Sequence, residues 1–357
     1  MNVGIVGCGV ISKHYAENAA SFDAFELVAC ADIDPAFAET LAAEHSLEAL
    51  GVDELLADPA VDALLNLTPQ AAHTQVTRAA LAAGKHVYSE KPLAPRAADA
   101  AELVAEAESR GLALGCAPDI FLGGAYQAAR ALIDDGAIGE PVAVSAAMLV
   151  EGADAWHPSP EQFFQDGAGP LLDMGPYYLT AIVALLGPVL RVAGFASIPT
   201  PERSIRVGTR AGGRFAVTTP THVSAALELE SGVTANLVAS FEAVGRYVCD
   251  LEIHGREGAI RLPDPNAFEG QLCLRRNRGE WDEVAYVSRG AREARGIGLQ
   301  DLAEAVAEGR EPRASGRLAA HVVDVARSVL RAAAEGQTLV VGSSAGRPEP
   351  LPVPRLA

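Results

Sequence analysis

The feature that most constrains this chain is a glycine-rich turn directly after its first apolar segment. The short apolar run Val3–Val6 is followed by Gly7-Cys8-Gly9-Val10-Ile11-Ser12. In such a turn the first glycine allows the tight bend, the second lets the backbone approach a pyrophosphate, and a small third residue lets the next helix pack on the strand. The pattern predicts a strand, a phosphate-binding turn and a helix. The candidate dinucleotide-binding residues of the turn are Gly7, Cys8, Gly9, Val10 and Ile11.

A carboxylate stands where this type of turn requires one. Glu26–Ala31 is a second, largely apolar run, and Asp32 ends it about 20 residues beyond the turn, the spacing of the acidic residue that binds the adenosine ribose hydroxyls. Asp32 could instead cap a helix that begins near Pro35. No basic residue directly follows Ile33, which favours NAD over NADP; Lys13 is the nearby cation that could meet a 2′-phosphate. We therefore expect Asp32 and Ile33 at an NAD site.

Strand and helix patterns then alternate through the first third of the chain. Apolar runs of strand length cover 61–67, 85–88 and 112–116, and helical segments cover 71–83 and 96–109. Strands separated by helices of about 10–15 residues are typical of βαβ units with a parallel sheet. Residues 1–118 are therefore predicted to form an α/β Rossmann domain, in which ligands bind beyond the carboxyl ends of the strands.

Two polar segments fall at those strand ends. The cofactor-binding candidates of the first are Leu67, Thr68, Pro69, Gln70 and His73. His73, in the first turn of the next helix, could equally be a packing residue. The second segment is Glu90-Lys91-Pro92. The residue before a proline is disfavoured in the helical conformation, so we expect an extended backbone at Lys91 that aims its ammonium group out of the sheet.

Past Pro118 the pattern changes. Helical segments cover 122–134, 177–186, 298–308 and 318–334, a strand covers 142–150, and Pro- and Gly-rich irregular segments cover 152–169 and 342–357. The runs 223–229 and 233–241 alternate apolar and polar residues around Ser231-Gly232, which is typical of a hairpin. We predict a second domain, residues 119–357, of α+β type with a largely antiparallel open sheet.

The motifs Gly7-x-Gly9, Asp32, Thr68-Pro69-x-x-x-His73, Ala83-Gly84-Lys85-His86-Val87 and Glu90-Lys91-Pro92 stand in a characteristic order. Their order and spacing resemble those of the Gfo/Idh/MocA family, the glucose–fructose oxidoreductases, inositol dehydrogenases and related NAD(P)-dependent sugar enzymes. The resemblance extends more loosely beyond Pro118. It implies that Lys91 reaches the reacting carbon of the substrate and that Glu90 lies by the nicotinamide.

A second polar cluster, Gly167–Tyr177, is similar to the family segment in which an Asp and a His face that lysine. The matching residues are Asp173 and Tyr177, so a tyrosine replaces the usual histidine. Free histidine has a pKa of about 6.5 and free tyrosine one of about 10, so a tyrosine acts as a base only if its phenolate is stabilised. Three interpretations stay open. Tyr177 is a tuned acid/base, it only binds substrate while Lys91 acts on the hydroxyl proton, or His157 supplies the imidazole. Asp173 and Tyr177 could also be a helix cap and a core aromatic.

Several further residues are candidate substrate contacts, because aromatic rings offer apolar faces to the C–H groups of a sugar. These rings are Phe121, Tyr126, Trp156, Phe163 and Phe164. Each could belong to the core instead. Asp119 could accept a hydrogen bond from a substrate hydroxyl or cap the helix that follows it.

Composition disfavours several classes of protein. The net charge is −18, from 46 acidic and 28 basic residues, which disfavours nucleic acid as a partner. The five cysteines are scattered without Cys-x-x-Cys spacing, so we expect reduced thiols and no metal site. The N-terminus begins with a strand rather than a leader, and no apolar run reaches the ~18–20 residues of a membrane span. We expect a cytoplasmic protein.

Together these observations predict an NAD(P)-dependent oxidoreductase that transfers hydride between nicotinamide and a secondary alcohol of a sugar, sugar derivative or cyclic polyol. One alternative is an enzyme whose bound NAD is recycled within each cycle, as in redox-assisted glycoside cleavage or epimerisation. Another is a non-catalytic NAD-binding sensor, suggested by the missing histidine. The family resemblance also implies a homodimer or homotetramer. The sequence specifies neither the substrate nor the carbon that is oxidised.

Overall fold

The chain forms two compact units. The computed structural model describes residues 1–245, 247–288 and 293–352. The first unit comprises Met1–Gly123 and Ser288–Val323, and the second comprises Gly124–Val287 and Asp324–Ala357. The predicted division at 118/119 differs from this one in two respects. The boundary lies a few residues later, and a segment near the end of the chain returns to the first unit.

The first unit contains a parallel sheet. Its strands are β1 (Asn2–Val6), β2 (Glu26–Ala31), β3 (Glu48–Ala49), β4 (Ala63–Asn66), β5 (His86–Ser89) and β6 (Leu114–Cys116). The helices between them are α1 (Val10–Ala19), α2 (Pro35–His45), α3 (Val52–Ala57), α4 (His73–Ala82) and α5 (Ala97–Ser109). The strand order is β3-β2-β1-β4-β5-β6 with parallel pairing throughout. This doubly wound order changes direction between β1 and β4, so the predicted Rossmann fold is confirmed.

The strands of this sheet form where the side chains are apolar on both faces. Val3, Ile5, Leu64 and Leu65 have no exposed surface, as a parallel sheet covered by helices on both faces requires. Leu64 belongs to one hydrophobic cluster with residues of α4 and α5. The predicted helix at 71–83 begins as a 3-10 turn, Gln70–Ala72, before α4.

The second unit contains a mostly antiparallel sheet. Its strands are β7 (Pro141–Leu149), β8 (Val189–Ser197), β9 (Glu202–Ser204), β10 (Arg214–Ala216), β11 (His222–Leu229), β12 (Thr234–Ser240), β13 (Val248–Gly255), β14 (Gly258–Leu262), β15 (Cys273–Arg276), β16 (Asp282–Glu283) and β17 (Leu339–Val340). The main sheet has the order β16-β15-β14-β13-β7-β12-β11-β8-β17, while β9 and β10 form a separate ribbon. Among the described strand pairings of this main sheet, only that of β7 with β12 is parallel. The prediction of a largely antiparallel sheet is confirmed.

The helices of this unit are α6 (Gly124–Asp134), α7 (Pro170–Asp173) and α8 (Gly175–Leu186). They pack on one face of the sheet, with α8 against β7 and α6 against β14. Along β7 the side chains of Val144, Ala146 and Met148 are buried, whereas the residues between them, Ser145 and Ala147, are exposed and half-buried. This alternation is the pattern of a sheet with one covered face. Residues 342–352 contain no helix or strand, as predicted for the tail, and 353–357 lie outside the described residues.

The returning segment completes the first unit. It carries α9 (Ile297–Glu308), which packs on β5 and β6. Leu302 of this helix fits against Gly115 of β6, where a Cβ would lie only 2.8 Å from the leucine. The last helix, α10 (Gly316–Glu335), contributes residues to both units. No helix in the part of the chain that the structure describes is both long enough and apolar enough to cross a membrane.

The contact of Gly298 with the sheet gives a test of this fold. A Cβ at Gly298 would overlap the hydroxyl oxygen of Tyr88 and lie 2.8 Å from Cβ of Asp119. Gly298→Ala should therefore lower the free energy of unfolding by about 1–3 kcal/mol, measured by urea denaturation. Gly346→Ala is the control, because a methyl group there would meet no atom within 4 Å. Equal stability of the two variants would contradict the observed packing of α9.

Candidate active site

The loop between β1 and α1 passes very close to the end of β4. Gly7 has φ of 99°, and a Cβ there would lie 2.6 Å from the backbone of Leu67 and Thr68, so only glycine fits. A Cβ on Gly9 would meet no atom within 4 Å. Helix α1 begins at Val10 without a side-chain cap, so its first N–H groups lie beside open space, the arrangement that binds phosphate. These residues fit the pyrophosphate of a dinucleotide.

Asp32 joins the ends of β1 and β2. Its carboxylate accepts hydrogen bonds from the N–H groups of Cys8, at 2.7 Å, and Asp34, at 3.0 Å. The cap of α2 is Asp34, which accepts from the N–H of Ala36, so the alternative role of Asp32 as that cap is already filled. A carboxylate has about four acceptor positions, so Asp32 can also accept ribose hydroxyls. The neighbouring Ile33 is 96% exposed.

Lys13 is the nearby cation that could bind the 2′-phosphate of NADP. Its ammonium group forms an ion pair with Glu44 at 3.0 Å, and both side chains are exposed. The positive charge nearest the glycine loop in sequence is therefore already paired, which supports NAD. All five cysteines are free thiols, as their scattered positions predict.

The end of β4 is fixed by a buried side chain that sequence inspection missed. Asn66 accepts from the hydroxyl of Thr68 at 2.7 Å and donates to the hydroxyl of Thr77 at 3.1 Å. His73 then links this segment to the next one, since Nε2 lies 2.8 Å from the carbonyl oxygen of Thr68 and Nδ1 lies 2.7 Å from that of Pro92. The sequence does contain a signal for this role, because Asn66 is a polar residue at the end of an otherwise apolar strand.

His73 is 1% exposed. Burial lowers its pKa, although the carbonyl groups of Pro92 and Thr68 act in the opposite sense. Both ring nitrogens face carbonyl oxygens, which accept hydrogen bonds, so both are occupied by these two backbone segments. The ring presents almost no surface to a ligand. The geometry therefore favours the packing role over the direct cofactor contact that the sequence also allowed.

Glu90 and Lys91 follow β5. One carboxylate oxygen of Glu90 accepts from the hydroxyl of Tyr15 at 3.0 Å, and the other accepts from the backbone N–H of Lys91 at 3.1 Å. The guanidinium of Arg295 lies 3.8 Å from the first oxygen. Glu90 is buried and Lys91 is half-buried. The carboxylate thus holds the backbone that carries the lysine.

Asp119 and Phe121 occupy positions other than those expected of substrate contacts. Asp119 is fully buried and accepts from the N–H of Gly298 at 2.9 Å, so it caps α9 rather than α6. Burial raises the pKa of Asp119, although that N–H and the charge of Arg295 oppose the effect. Phe121 is buried in the 3-10 turn Ile120–Leu122. Both side chains are enclosed in this structure, and their roles as substrate contacts stay predictions.

In the second unit, two of the sequence candidates line one cavity. Asp173 and Trp156 lie in its wall, and its volume of about 450 Å³ is in the range of small-molecule sites. The other polar residues of the wall are Glu151, Tyr247 and Asn266. Trp156 is exposed, and Oδ1 of Asn266 is buried with no hydrogen-bond partner among the residues that the structure describes. The cavity therefore combines an aromatic surface with several hydrogen-bonding groups.

The turn that carries Trp156 is held by buried charges. Arg203 forms ion pairs with Asp154 at 2.8 Å and with Glu242 at 2.6 Å, and its guanidinium lies 4.9 Å from the ring centre of Phe164. Asp154 belongs to the 3-10 turn Ala153–Ala155 directly before Trp156. Breaking a buried ion pair leaves an uncompensated charge, which costs free energy. The Arg203 ion pairs therefore fix the turn against the strands.

Tyr177 and His157 are not among the described residues of the cavity wall. Tyr177 lies in the first turn of α8 and is 5% exposed. His157 accepts from the N–H of Ser159 at 3.0 Å, and its ring packs on those of Trp156 and Phe163. Tyr126 and Phe164 are core residues.

Comparison with known proteins agrees with this arrangement. A family model described as an oxidoreductase family with an NAD-binding Rossmann fold matches residues 1–117. The Gfo/Idh/MocA C-terminal domain model matches residues 126–261. The chain belongs to the Gfo/Idh/MocA family. The resemblance inferred from the sequence is confirmed, and this oxidoreductase uses NAD.

Relatives in this family have described activities. A dTDP-3,4-didehydro-2,6-dideoxy-alpha-D-glucose 3-reductase of Streptomyces violaceoruber is 36% identical over 213 residues, 59% of this chain and 57% of that enzyme. The chain thus spans little more than half of that relative. The reductase of the same name from Saccharopolyspora spinosa is 31% identical over 80% of this chain and 82% of its own. A structure of levoglucosan dehydrogenase with NADH and L-sorbose has a TM-score of 0.86 at 22% identity, covering 96% of this chain and 99% of its own, which shows a shared fold.

The two loop glycines give a matched pair of variants. Gly9→Ala should leave the free energy of unfolding nearly unchanged, because its methyl group enters open space, but it should weaken NAD⁺ binding about tenfold or more by crowding the pyrophosphate. Gly7→Ala should weaken both binding and stability, since φ is positive and the backbone of Leu67 is in contact. Calorimetric titration and urea unfolding separate the two effects. Unchanged NAD⁺ affinity in Gly9→Ala would contradict the assignment of this loop.

Proposed function

We propose that this Gfo/Idh/MocA oxidoreductase transfers hydride between NAD and a secondary alcohol of a sugar, sugar derivative or cyclic polyol. The observation that carries the proposal is the Glu90–Lys91 arrangement, in which a buried carboxylate fixes the backbone of a lysine beyond a strand that neighbours β4. The relatives support the same substrate class, because their names describe enzymes of sugar derivatives and anhydrosugars. When bound, NAD supplies the hydride chemistry.

In this proposal the first unit binds the cofactor and handles a proton. The Gly7–Gly9 turn and the N-terminus of α1 hold the pyrophosphate, and Asp32 accepts the ribose hydroxyls. Leu67, Thr68, Pro69 and Gln70 border the nicotinamide end of the site. Lys91 hydrogen-bonds the substrate hydroxyl and takes up or returns its proton, since an amine can serve as acid and base.

The second unit recognises the substrate. Asp173 accepts hydrogen bonds from sugar hydroxyls, and the exposed ring of Trp156 packs against C–H groups. A tyrosine hydroxyl keeps its proton at neutral pH unless its phenolate is stabilised, so Tyr177 is assigned a hydrogen-bonding role and Lys91 the proton transfer. His157 is assigned the support of the Trp156 ring, because Nδ1 already accepts from the backbone.

Lys91→Ala tests the central assignment. It should lower kcat by about 10²–10⁴, the usual contribution of a positioned acid/base group, while NAD⁺ still binds. Turnover is followed as NADH absorbance in a screen of neutral sugars, anhydrosugars and inositols, and NAD⁺ binding by calorimetry. Lys13→Ala is the control and should retain activity.

Full activity of Lys91→Ala would refute the assignment. Tight NAD⁺ binding by the unaltered protein, with no net NADH from any alcohol but conversion of a glycoside or epimer, would instead indicate a recycled cofactor.

We also propose that the second unit mediates a homodimer or homotetramer. The face of its sheet opposite the helices carries one cross-strand row, made of Phe195, Ser224, Val238, Ala147 and Asp250. Phe195 is 84% exposed. A flat face with an exposed ring and small neighbours can bury apolar area against its own copy.

Phe195→Arg should lower the oligomeric state, because it places a charge in the proposed interface. Sedimentation velocity would report a smaller species than for the unaltered protein at the same concentration. Phe37→Arg, which alters an exposed ring of the first unit, is the control. Identical sedimentation of both variants would show that this face is not the interface.

We propose a cytoplasmic location, because five free thiols suit a reducing compartment. The net charge of −18 disfavours nucleic acid as a partner.

A further inference from the structure

Lysine is rare in this chain. It has three lysines against 25 arginines, and the lysines are Lys13, Lys85 and Lys91. Lys13 pairs with Glu44 on the surface. Lys85 is buried and donates to the carbonyl oxygens of Asp58 and Val61, at 2.6 and 2.7 Å. The third, Lys91, follows the end of β5 and stands directly after Glu90, whose carboxylate is paired with Arg295.

The group around that carboxylate, called here the Glu90 cluster, consists of Tyr15, Glu90, Lys91 and Arg295. Tyr15 comes from α1 and is 2% exposed. Its hydroxyl and the backbone N–H of Lys91 bind one oxygen each of Glu90, while Arg295 approaches from the returning segment. The backbone carbonyl of Arg295 is held by the amide of Asn18 at 3.4 Å. The cluster thus joins three distant parts of the first unit.

We propose that Glu90 and Arg295 together set the proton affinity of the Lys91 amine, with Arg295 offsetting the carboxylate charge. The returning segment, Ser288–Val323, then contributes to catalysis through Arg295 as well as to the packing of the first unit. The inference rests on the proposed role of Lys91 in proton transfer. Glu90, Tyr15 and Arg295 are positioning residues in this scheme, because they act on the lysine and touch no substrate.

The physical reason is the fixed position of the carboxylate. A lone buried carboxylate next to a lysine favours the ammonium form, and the lysine then loses the ability to accept a proton near neutral pH. Glu90 cannot turn away, since both of its oxygens are bonded within the unit. A guanidinium stays charged over the whole working range of pH, so Arg295 cancels much of the carboxylate field without titrating itself.

The other titratable groups around the cluster are His73, Tyr88, Cys116 and Asp119. Burial raises the pKa of Tyr88 and of Cys116, so both keep their protons near neutral pH. Burial lowers the pKa of His73, which the carbonyl groups of Pro92 and Thr68 oppose, and His73 is the same in every variant below. Burial and the charge of Glu90 also raise the pKa of Tyr15, which keeps its hydroxyl a donor. Asp119, whose pKa burial raises, is the same in every variant below. The charges that differ between variants are those of Glu90 and Arg295.

The test measures Lys91 directly. The full-length protein, without cofactor, is labelled with acetic anhydride at a series of pH values, and mass spectrometry gives the labelling midpoint of each lysine. Arg295→Gln should raise the Lys91 midpoint by about 0.5–1 pH unit, because it leaves the carboxylate uncompensated. Glu90→Gln should lower the midpoint by a similar amount, because it leaves the guanidinium uncompensated. The double variant should return close to the unaltered protein.

Matched variants separate charge from structure. Arg295→Lys keeps the charge and should keep the midpoint, and Tyr15→Phe removes a neutral partner and should move it much less than either charge change. The midpoint of Lys13 should stay constant throughout. The pH dependence of kcat should move in the same direction as the Lys91 midpoint in each variant.

Shifts of the same sign in Arg295→Gln and Glu90→Gln, or no shift in either, would overturn the inference even if Lys91→Ala is inactive. Opposite shifts together with an active Lys91→Ala would instead retain the electrostatic coupling and refute the proposed role of Lys91. If Arg295→Gln does not fold, Glu90→Gln and Arg295→Lys still decide the sign.

Discussion

The first unit depends on the close approach of one backbone segment to another where β1 and β4 end side by side. Gly7 lies so near Leu67 and Thr68 that a methyl group would not fit. This approach sets the phosphate-binding turn against the segment after β4. From there Asn66 and His73 continue the connection to Pro92, and Glu90 continues it to Lys91. The glycine-rich loop after β1 and the backbone of Lys91 after β5 are thus held by one series of short contacts.

The sequence predicts those parts of the site that depend on local sequence patterns. The glycine turn, Asp32 and the Glu90-Lys91-Pro92 stretch each depend on residues close together in the chain, so spacing alone indicates them. Tyr15 and Glu90 are 75 residues apart, and Asp119 and Gly298 are 179 apart. No periodicity links such partners, and Arg295 resembles any surface arginine until the fold brings it to a buried carboxylate. The contact of Asp119 with the N–H of Gly298 could not be predicted either, because the local sequence does not show which distant helix packs there.

The second unit reaches a fixed site by different means. Its candidate cavity is bordered by the ends of β7 and β12 and also by the turn before Trp156. Such a turn needs support to hold a defined shape. The support is the Arg203 ion pairs with Asp154 and Glu242, buried beside the ring of Phe164. The composition of the loop at 152–169, rich in proline and glycine, indicated an irregular segment but not this anchoring. A tyrosine, Tyr177, stands where the family segment has a histidine, and this difference is the reason for assigning proton transfer to Lys91 in the proposed function.

The assembly of the first unit from two segments has a consequence for how the chain is made. Protein synthesis proceeds from the N-terminus, and domains generally fold as they emerge. The strands of the Rossmann sheet are complete by residue 116, yet α9 and the buried Ala319 and Ala320 of its hydrophobic cluster arrive only after the whole of β7–β16. A nascent chain of this protein therefore carries an incomplete nucleotide-binding fold with an uncovered flank of β5 and β6 for most of its translation. The second unit likewise receives its last segment, Asp324–Ala357, only after the returning segment of the first unit has been made.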